Sequence, residues 1–157
     1  MTITHTPTIK DLKKMTQEEL DDLFRQKPAG PLPNGEAKGT ALVLPGTSVT
    51  NIIADIVRLK IWKGKVFERD AKNPERGVLK NKILPLGHLA IEANVYKDKS
   101  WFDGRPCIVL DYSETSLIAK KVRDEIREIE PGFYLGIVYW GKKRTIDFAL
   151  EFPKSGT

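Results

Sequence analysis

The last third of the chain, residues 107 to 152, places the strongest constraint on the fold. It contains an apolar strand, Cys107 to Tyr112, and two further strands, Phe133 to Trp140 and Thr145 to Phe152, separated by a Gly-Lys-Lys turn. Between them, apolar residues at helical spacing predict an amphipathic helix from Leu117 to Glu130. The segment therefore predicts a curved antiparallel sheet with a helix beside it.

The helices expected elsewhere fit one domain. Thr16 followed by Glu19 forms a capping-box pattern that opens a short helix at Gln17. A second amphipathic helix is predicted over Val49 to Ile61. With 157 residues, the chain is expected to form a single domain over residues 16 to 157, preceded by a flexible tail over residues 1 to 15.

The middle of the chain reads as strands joined by short turns. Residues 62 to 69, 78 to 87 and 88 to 98 have strand patterns, and Leu89, Ile91, Ala93 and Val95 alternate with polar residues. The total of about seven to eight strands predicts a mainly β (α+β) protein. We expect an antiparallel barrel with one N-terminal and two embedded helices.

Composition argues for a globular protein without membrane insertion. No apolar run approaches the roughly 20 residues that a membrane helix needs, and the N-terminal residues lack the apolar core of a signal peptide. These features predict a cytoplasmic location. The net charge is +5, but the basic residues are interspersed with acidic ones, which argues against a nucleic-acid surface. A homodimer is left open.

Metal and cofactor chemistry have little support in the sequence. Cys107 is the only cysteine and lies in an apolar strand, as a structural thiol would. The two histidines do not form a metal-ligand spacing. Lys65 follows a glycine, but the rest of a phosphate-binding loop is absent. We therefore expect no metal and no cofactor.

Several motifs between residues 55 and 152 resemble those of a known family. They are WKGKVF (62 to 67), Asn81, Tyr96, a Gly-Arg-Pro turn leading into IVLDY (108 to 112), RDEIRE (123 to 128), YLGIVYW (134 to 140) and FALEF (148 to 152). Their order resembles the small lipocalin-like (calycin-type) domains that carry a Gly-x-Trp-x-Gly-Lys type box. Lys60 stands where that box begins with glycine. The resemblance implies a lipocalin-like barrel and a small-molecule ligand, but no catalytic residues.

A barrel of about eight strands can hold one small ligand, and aromatic rings with a few polar groups typically line such a site. The predicted ligand-binding residues are Trp62, Phe67, Asn81, Tyr96, Asp111, Arg123, Arg127, Tyr134 and Tyr139. Asp111 is partly buried if its side of the strand points inward. It could then pair with an arginine in a structural salt bridge, or the arginines could bind a ligand carboxylate.

Three functions follow from these features. The first is binding of a small hydrophobic molecule, such as a fatty acid, polyketide or terpenoid. The second is a cofactor-independent isomerase, cyclase or lyase in the same cavity, with Asp111, Tyr112 and His88 as its acid–base residues. The third is a nucleic-acid or protein interaction domain. The barrel pattern and the aromatic residues favour the first.

Overall fold

Antiparallel strands form a closed barrel in the computed structural model, which describes residues 6 to 42, 63 to 83, 89 to 115 and 120 to 153. The eight strands of this described part are β1 Gly35–Leu42, β2 Lys63–Arg69, β3 Arg76–Ile83, β4 Leu89–Lys99, β5 Pro106–Asp111, β6 Val122–Glu130, β7 Phe133–Trp140 and β8 Lys143–Glu151. Each strand pairs with its sequence neighbours, and β1 also pairs with β8. The prediction of a mainly β antiparallel barrel is confirmed.

Strand alternation divides the buried residues into two cores. One core fills the barrel interior and takes every second residue of each strand, for example Ile108 and Leu110 on β5. Its members include Phe67, Leu79, Ala93, Val95, Ile126, Tyr134, Val138, Phe148 and Leu150. The intervening residues point outward, where part of the outer wall is buried beneath the N-terminal helices.

Two short helices cover the outer wall. Helix α1 spans Ile9–Lys14 and helix α2 spans Gln17–Gln26, and each begins at a capping box. Their apolar residues form the second core with outward residues of the barrel: Leu12, Leu20, Leu23 and Phe24 pack with Leu42, Ile129, Leu135, Ile137, Tyr139 and Ala149. None of the helices in the described ranges is long and apolar enough to cross a membrane.

The segment between α2 and β1 closes one end of the barrel. Its residues Ala29 and Leu32 belong to the interior core, and the Tyr134 hydroxyl donates to the carbonyl of Pro31 at 2.8 Å. The Phe152 ring contacts the rings of Phe67 and Tyr134, with centroids 5.6 and 5.7 Å apart. We call this the plugged end. The opposite end is where β1 ends and β2 begins.

The predicted helix from Leu117 to Glu130 is wrong, because Val122–Glu130 is strand β6. The apolar spacing of the segment is compatible with a strand that is covered on both sides. Ile126 lies in the interior core and Ile129 in the outer core. The barrel needs this strand, since β6 bonds to both β5 and β7.

The N-terminal prediction also needs correction. The capping box at Thr16 does open a helix, α2, as predicted. Residues 1 to 15, predicted to be a flexible tail, contain helix α1, whose Leu12 is fully buried. The described N-terminal region thus holds two helices rather than one. The predicted helix over Val49 to Ile61 lies outside the described residues.

Gly136 lies opposite the Phe148 ring, and substitutions at these two positions test the interior packing. Gly136 pairs directly with Phe148 across β7 and β8, and a Cβ atom at Gly136 would overlap the Phe148 ring. Gly136→Ala should therefore lower the free energy of unfolding, measured in urea, by about 1–3 kcal/mol. Adding Phe148→Leu should relieve the overlap, so that the double variant loses less than the two single losses combined. Additive losses would contradict this packing.

Candidate functional site

Lys65 and Asp124 form an ion pair inside the barrel. Lys65 shares the inward side of β2 with Phe67, and Asp124 shares the inward side of β6 with Ile126. Their side chains are 2% and 3% exposed, and Lys65 Nζ lies 3.9 Å from Asp124 Oδ2. Two charges removed from water in this way are costly unless they compensate each other. Among the described residues, the barrel therefore encloses a charged pair beside a largely apolar core.

Tyr112 and Phe148 also contact this ion pair. The Tyr112 hydroxyl donates to Asp124 Oδ2 at 3.3 Å, which is long for such a bond. The Lys65 ammonium lies 5.0 Å from the centroid of the Phe148 ring, close enough for a cation–π contact. We call Lys65, Asp124 and Tyr112 the interior polar cluster.

Burial shifts the two charged groups toward their neutral forms. It raises the pKa of Asp124 to about 6, although Lys65 and the Tyr112 hydrogen bond act in the other direction. Burial also lowers the pKa of Lys65, and the charge of Asp124 opposes this shift. The carboxyl group can therefore take up or release a proton not far below neutral pH, beside an amine that loses its proton more readily than usual.

The two carboxylate oxygens of Asp124 differ in their hydrogen bonding. Among the described residues, Asp124 Oδ1 is buried and has no hydrogen-bond partner. Lys65 and Tyr112 both approach the other oxygen, Oδ2. Buried polar atoms are nearly always hydrogen-bonded in folded proteins. Oδ1 thus has the capacity to accept a hydrogen bond from a molecule held in the barrel.

The interior polar cluster lies toward the opposite end, away from the plug. Lys65 is the third residue of β2, Asp124 is the third residue of β6, and Tyr112 directly follows β5. The backbone of Asn81 is directly opposite Lys65 in the β2–β3 register. Of the predicted site residues, Trp62 and His88 lie outside the described residues. Only the backbone of Asn81 is described.

Asp111 lies on the outer wall, contrary to the inward placement considered from the sequence. Tyr112, Leu110 and Ile108 face the interior instead. Asp111 Oδ2 accepts a hydrogen bond from the Tyr96 hydroxyl at 2.7 Å, and Oδ1 accepts one from the Ser113 backbone at 2.9 Å.

These contacts also set the charge of Asp111. Burial acts to raise its pKa, but the hydrogen bonds from Ser113 and Tyr96 outweigh burial and lower it. Asp111 is thus an outer carboxylate held in its charged form by its neighbours, and the pair it forms with Tyr96 lies outside the barrel.

Arg123 and Arg127, the two arginines predicted to bind a ligand, also point outward. Arg127 is fully buried, and its Nη1 and Nη2 donate to the two carboxylate oxygens of Asp103, each at 2.7 Å. It also donates to the carbonyls of Phe24, Pro106 and Arg105. These bonds tie α2 and the turn before β5 to the barrel wall, so its contacts are those of a structural residue.

Arg123 contributes to a similar outer cluster. It donates to Glu125 at 3.0 Å and stacks on the Trp101 ring, with its guanidinium carbon 4.2 Å from the ring centroid. Glu125 is fully buried and also accepts hydrogen bonds from the Ser100 hydroxyl and the Trp101 backbone. Arg123 therefore secures the turn between β4 and β5 rather than the barrel interior.

The predicted aromatic residues separate in the same way. Phe67 and Tyr134 lie in the interior at the plugged end. Tyr139 lies in the outer core and contacts Trp101, with ring centroids 5.3 Å apart. Cys107 is buried, and burial raises the pKa of its thiol to about 12, which keeps it protonated. In the described ranges, no group of three or more His, Cys, Asp and Glu residues is placed to hold a metal ion.

Lys65 and Asp124 were not among the site residues predicted from sequence. The predicted helix from Leu117 to Glu130 contains Asp124, and a helix at this place does not predict a contact between Asp124 and Lys65 on β2. A strand interpretation of RDEIRE places Asp124 and Ile126 on one side and Arg123, Glu125 and Arg127 on the other. That alternation is the signal that identifies Asp124 as an interior residue.

Comparison with known proteins informs the fold alone. No protein-family model matches the chain, and no curated protein matches it. A crystal structure of a protein from Thermomonospora curvata superimposes with a TM-score of 0.57. The two sequences are 12% identical, and the match covers 93% of each chain. The likeness shows a shared fold.

The ion pair can be tested by a double-mutant cycle. Lys65→Met leaves a buried carboxylate without its partner, and Asp124→Asn leaves a buried ammonium, so each should lower the free energy of unfolding by about 3–5 kcal/mol. The Lys65→Met/Asp124→Asn protein contains neither charge and should lose much less than the sum of these losses. Urea denaturation measures all four proteins. Additive losses would show that the groups do not interact.

The raised pKa of Asp124 predicts a pH dependence of stability. Between its ordinary value of 3.8 and about 6, the folded protein binds a proton at Asp124 more tightly than the unfolded chain does. The free energy of unfolding of the wild type should therefore fall as pH rises through this window, relative to the Lys65→Met/Asp124→Asn protein. Thermal denaturation in matched buffers checks the difference. Parallel curves, or a difference of the opposite sign, would contradict the shift.

Proposed function

We propose that the barrel binds one small, largely apolar molecule in its interior, anchored by the interior polar cluster. The supporting observation is the buried Oδ1 of Asp124, which has no hydrogen-bond partner among the described residues. A partner supplied by a ligand would satisfy this acceptor, and unsatisfied buried acceptors are costly. A closed eight-stranded barrel is also of the size that can enclose a small ligand.

The chemistry of the lining defines the ligand class. The interior walls are apolar, with Leu79, Val95, Ile108, Leu110 and Val138 among their residues. Such walls fit the hydrocarbon part of a fatty-acid, polyketide or terpenoid-like molecule. The polar end of the ligand would donate a hydrogen bond to Asp124 Oδ1, as a hydroxyl or a protonated carboxyl group does.

The barrel architecture supports the lipocalin-like part of this proposal. Strands that follow one another in sequence are also neighbours in space, and the first strand closes on the last, as in up-and-down barrels. The interior ligand site of such barrels is the type of site proposed for this protein. A cytoplasmic location is proposed with it.

The alternative function, an enzyme with Asp111, Tyr112 and His88 as its acid–base residues, has less support than ligand binding. Asp111 belongs to the outer wall, where Tyr96 and Ser113 bind it. Tyr112 is in the interior. An enzyme acting in the barrel would therefore rely on Asp124 and Lys65 in place of Asp111.

Ligand binding can be tested with anilinonaphthalene sulfonate, an environment-sensitive dye with apolar aromatic rings and one sulfonate group, and with decanol as a competitor. The wild-type protein should bind the dye, and decanol should displace it. In the Lys65→Met/Asp124→Asn protein, a neutral amide oxygen replaces the charged carboxylate as the hydrogen-bond acceptor, so decanol should bind about tenfold more weakly. Fluorescence titration measures both affinities, and circular dichroism verifies that the variant is folded.

Tyr96→Phe is the matched control. It removes the hydrogen bond from Tyr96 to Asp111 on the outer wall and leaves the interior polar cluster intact, so decanol affinity should not change. A wild-type protein that takes up no dye would overturn the proposal. It would equally fail if Tyr96→Phe weakened binding and the interior double variant did not.

A further inference from the structure

We propose that Lys65 reacts with small apolar aldehydes or ketones inside the barrel and holds them as an imine. This inference rests on the proposed ligand site and specifies a carbonyl compound as the class of molecule that reacts there. A carbonyl oxygen only accepts hydrogen bonds, so such a compound would bind the protonated form of Asp124, whereas an alcohol would bind the carboxylate. It follows from the placement of a primary amine, a carboxyl group and a phenol together in an apolar interior. No other lysine for which the structure gives an ion pair is buried in this way: Lys80 and Lys97 are 44% and 35% exposed.

An amine must be neutral to attack a carbonyl carbon. Burial favours the neutral form of Lys65, and Asp124 is the adjacent group that can hold the proton. Each unit by which the pKa of a lysine falls increases its neutral fraction about tenfold at a pH well below that pKa. An exposed lysine lacks this advantage, because water stabilises its charged form.

The first step forms a carbinolamine. The lone pair of Lys65 Nζ attacks the carbonyl carbon, and the π electrons of the C=O bond move to oxygen. Protonated Asp124, 3.9 Å from Nζ through Oδ2, gives its proton to that oxygen. The nitrogen, which now has four bonds, returns a proton to the Asp124 carboxylate.

The second step expels water. Asp124 protonates the carbinolamine hydroxyl, the C–O bond breaks, and the nitrogen lone pair forms the C=N bond. The nitrogen keeps one positive charge until it loses its last proton to Asp124. The net change is that one carbonyl compound and one amine give one imine and one water. Tyr112 acts as a positioning residue, because its hydroxyl bonds to Oδ2 and leaves Oδ1 to face the reacting oxygen.

The surroundings of Lys65 favour the product. The Phe148 ring lies beside its ammonium group, and the apolar walls exclude the water that would hydrolyse an imine. Asp124 would remain next to the imine nitrogen and stabilise its protonated form.

Reductive trapping tests the imine directly. The wild-type protein is incubated with limiting decanal and sodium cyanoborohydride, and its peptides are mapped by tandem mass spectrometry. We expect one decyl group per chain, located at Lys65, forming at least about tenfold faster than adducts at exposed lysines such as Lys80. Decanol, which has no carbonyl group, should slow the modification of Lys65 by occupying the same site.

Two variants serve as controls. Lys80→Arg should retain the rapid adduct, whereas Lys65→Met/Asp124→Asn should lose it. Adducts spread evenly over exposed lysines, together with displacement of the dye by decanol, would overturn the imine and leave the proposed ligand site standing. If neither decanol nor decanal displaced the dye and Lys65 stayed unmodified, both proposals would fail.

Discussion

Closure of the barrel through the pairing of β1 with β8 is the constraint on which the rest of the structure depends. Once the sheet is closed, every strand has one side that faces the interior and one that faces outward. In this barrel the interior is filled with side chains, most of them apolar, so the two charged residues on the inner side are buried. Lys65 and Asp124 are on that side, on strands far apart in sequence, and each is the charge that compensates the other.

The outer wall also contains buried charged residues, and several hydrogen bonds compensate each of them. Arg127 and Glu125 are fully buried, but each is surrounded by several hydrogen-bond partners. The partners come from helix α2 and from the turn between β4 and β5. Because these bonds satisfy the charged groups, the outer clusters hold the helix and the turn on the wall. In the interior polar cluster, by contrast, Oδ1 of Asp124 has no hydrogen-bond partner among the described residues, and this atom is what distinguishes the cluster as a candidate site.

The barrel class was predictable from sequence because the strands alternate and the turns between them are short. The predicted hairpin of the last two strands appears as β7 and β8. Strand β6 was not predictable in the same way. It is buried on both sides, so charged residues occur where alternation would lead one to expect exposure, and Val122, Ile126 and Ile129 also fit a helix. The closure of the sheet, which a local pattern cannot represent, decides in favour of the strand.

The site was harder to predict than the fold for the same reason. Asp111 and the two arginines attracted attention because they are close in sequence, but the strand direction turns all three outward. Lys65 and Asp124 meet only when β2 and β6 face each other across a closed interior. Contacts of this kind depend on tertiary structure, and spacing along the chain carries little information about them.

Strand β6 has a consequence for how this protein can change through evolution. Neighbouring positions on one strand serve two separate cores: Asp124 faces the interior, and Glu125 and Arg127 support the outer wall. A substitution that alters the interior chemistry therefore leaves the outer supports untouched. Such a division allows the interior side chains to differ among related chains without rebuilding the outer wall that supports the barrel.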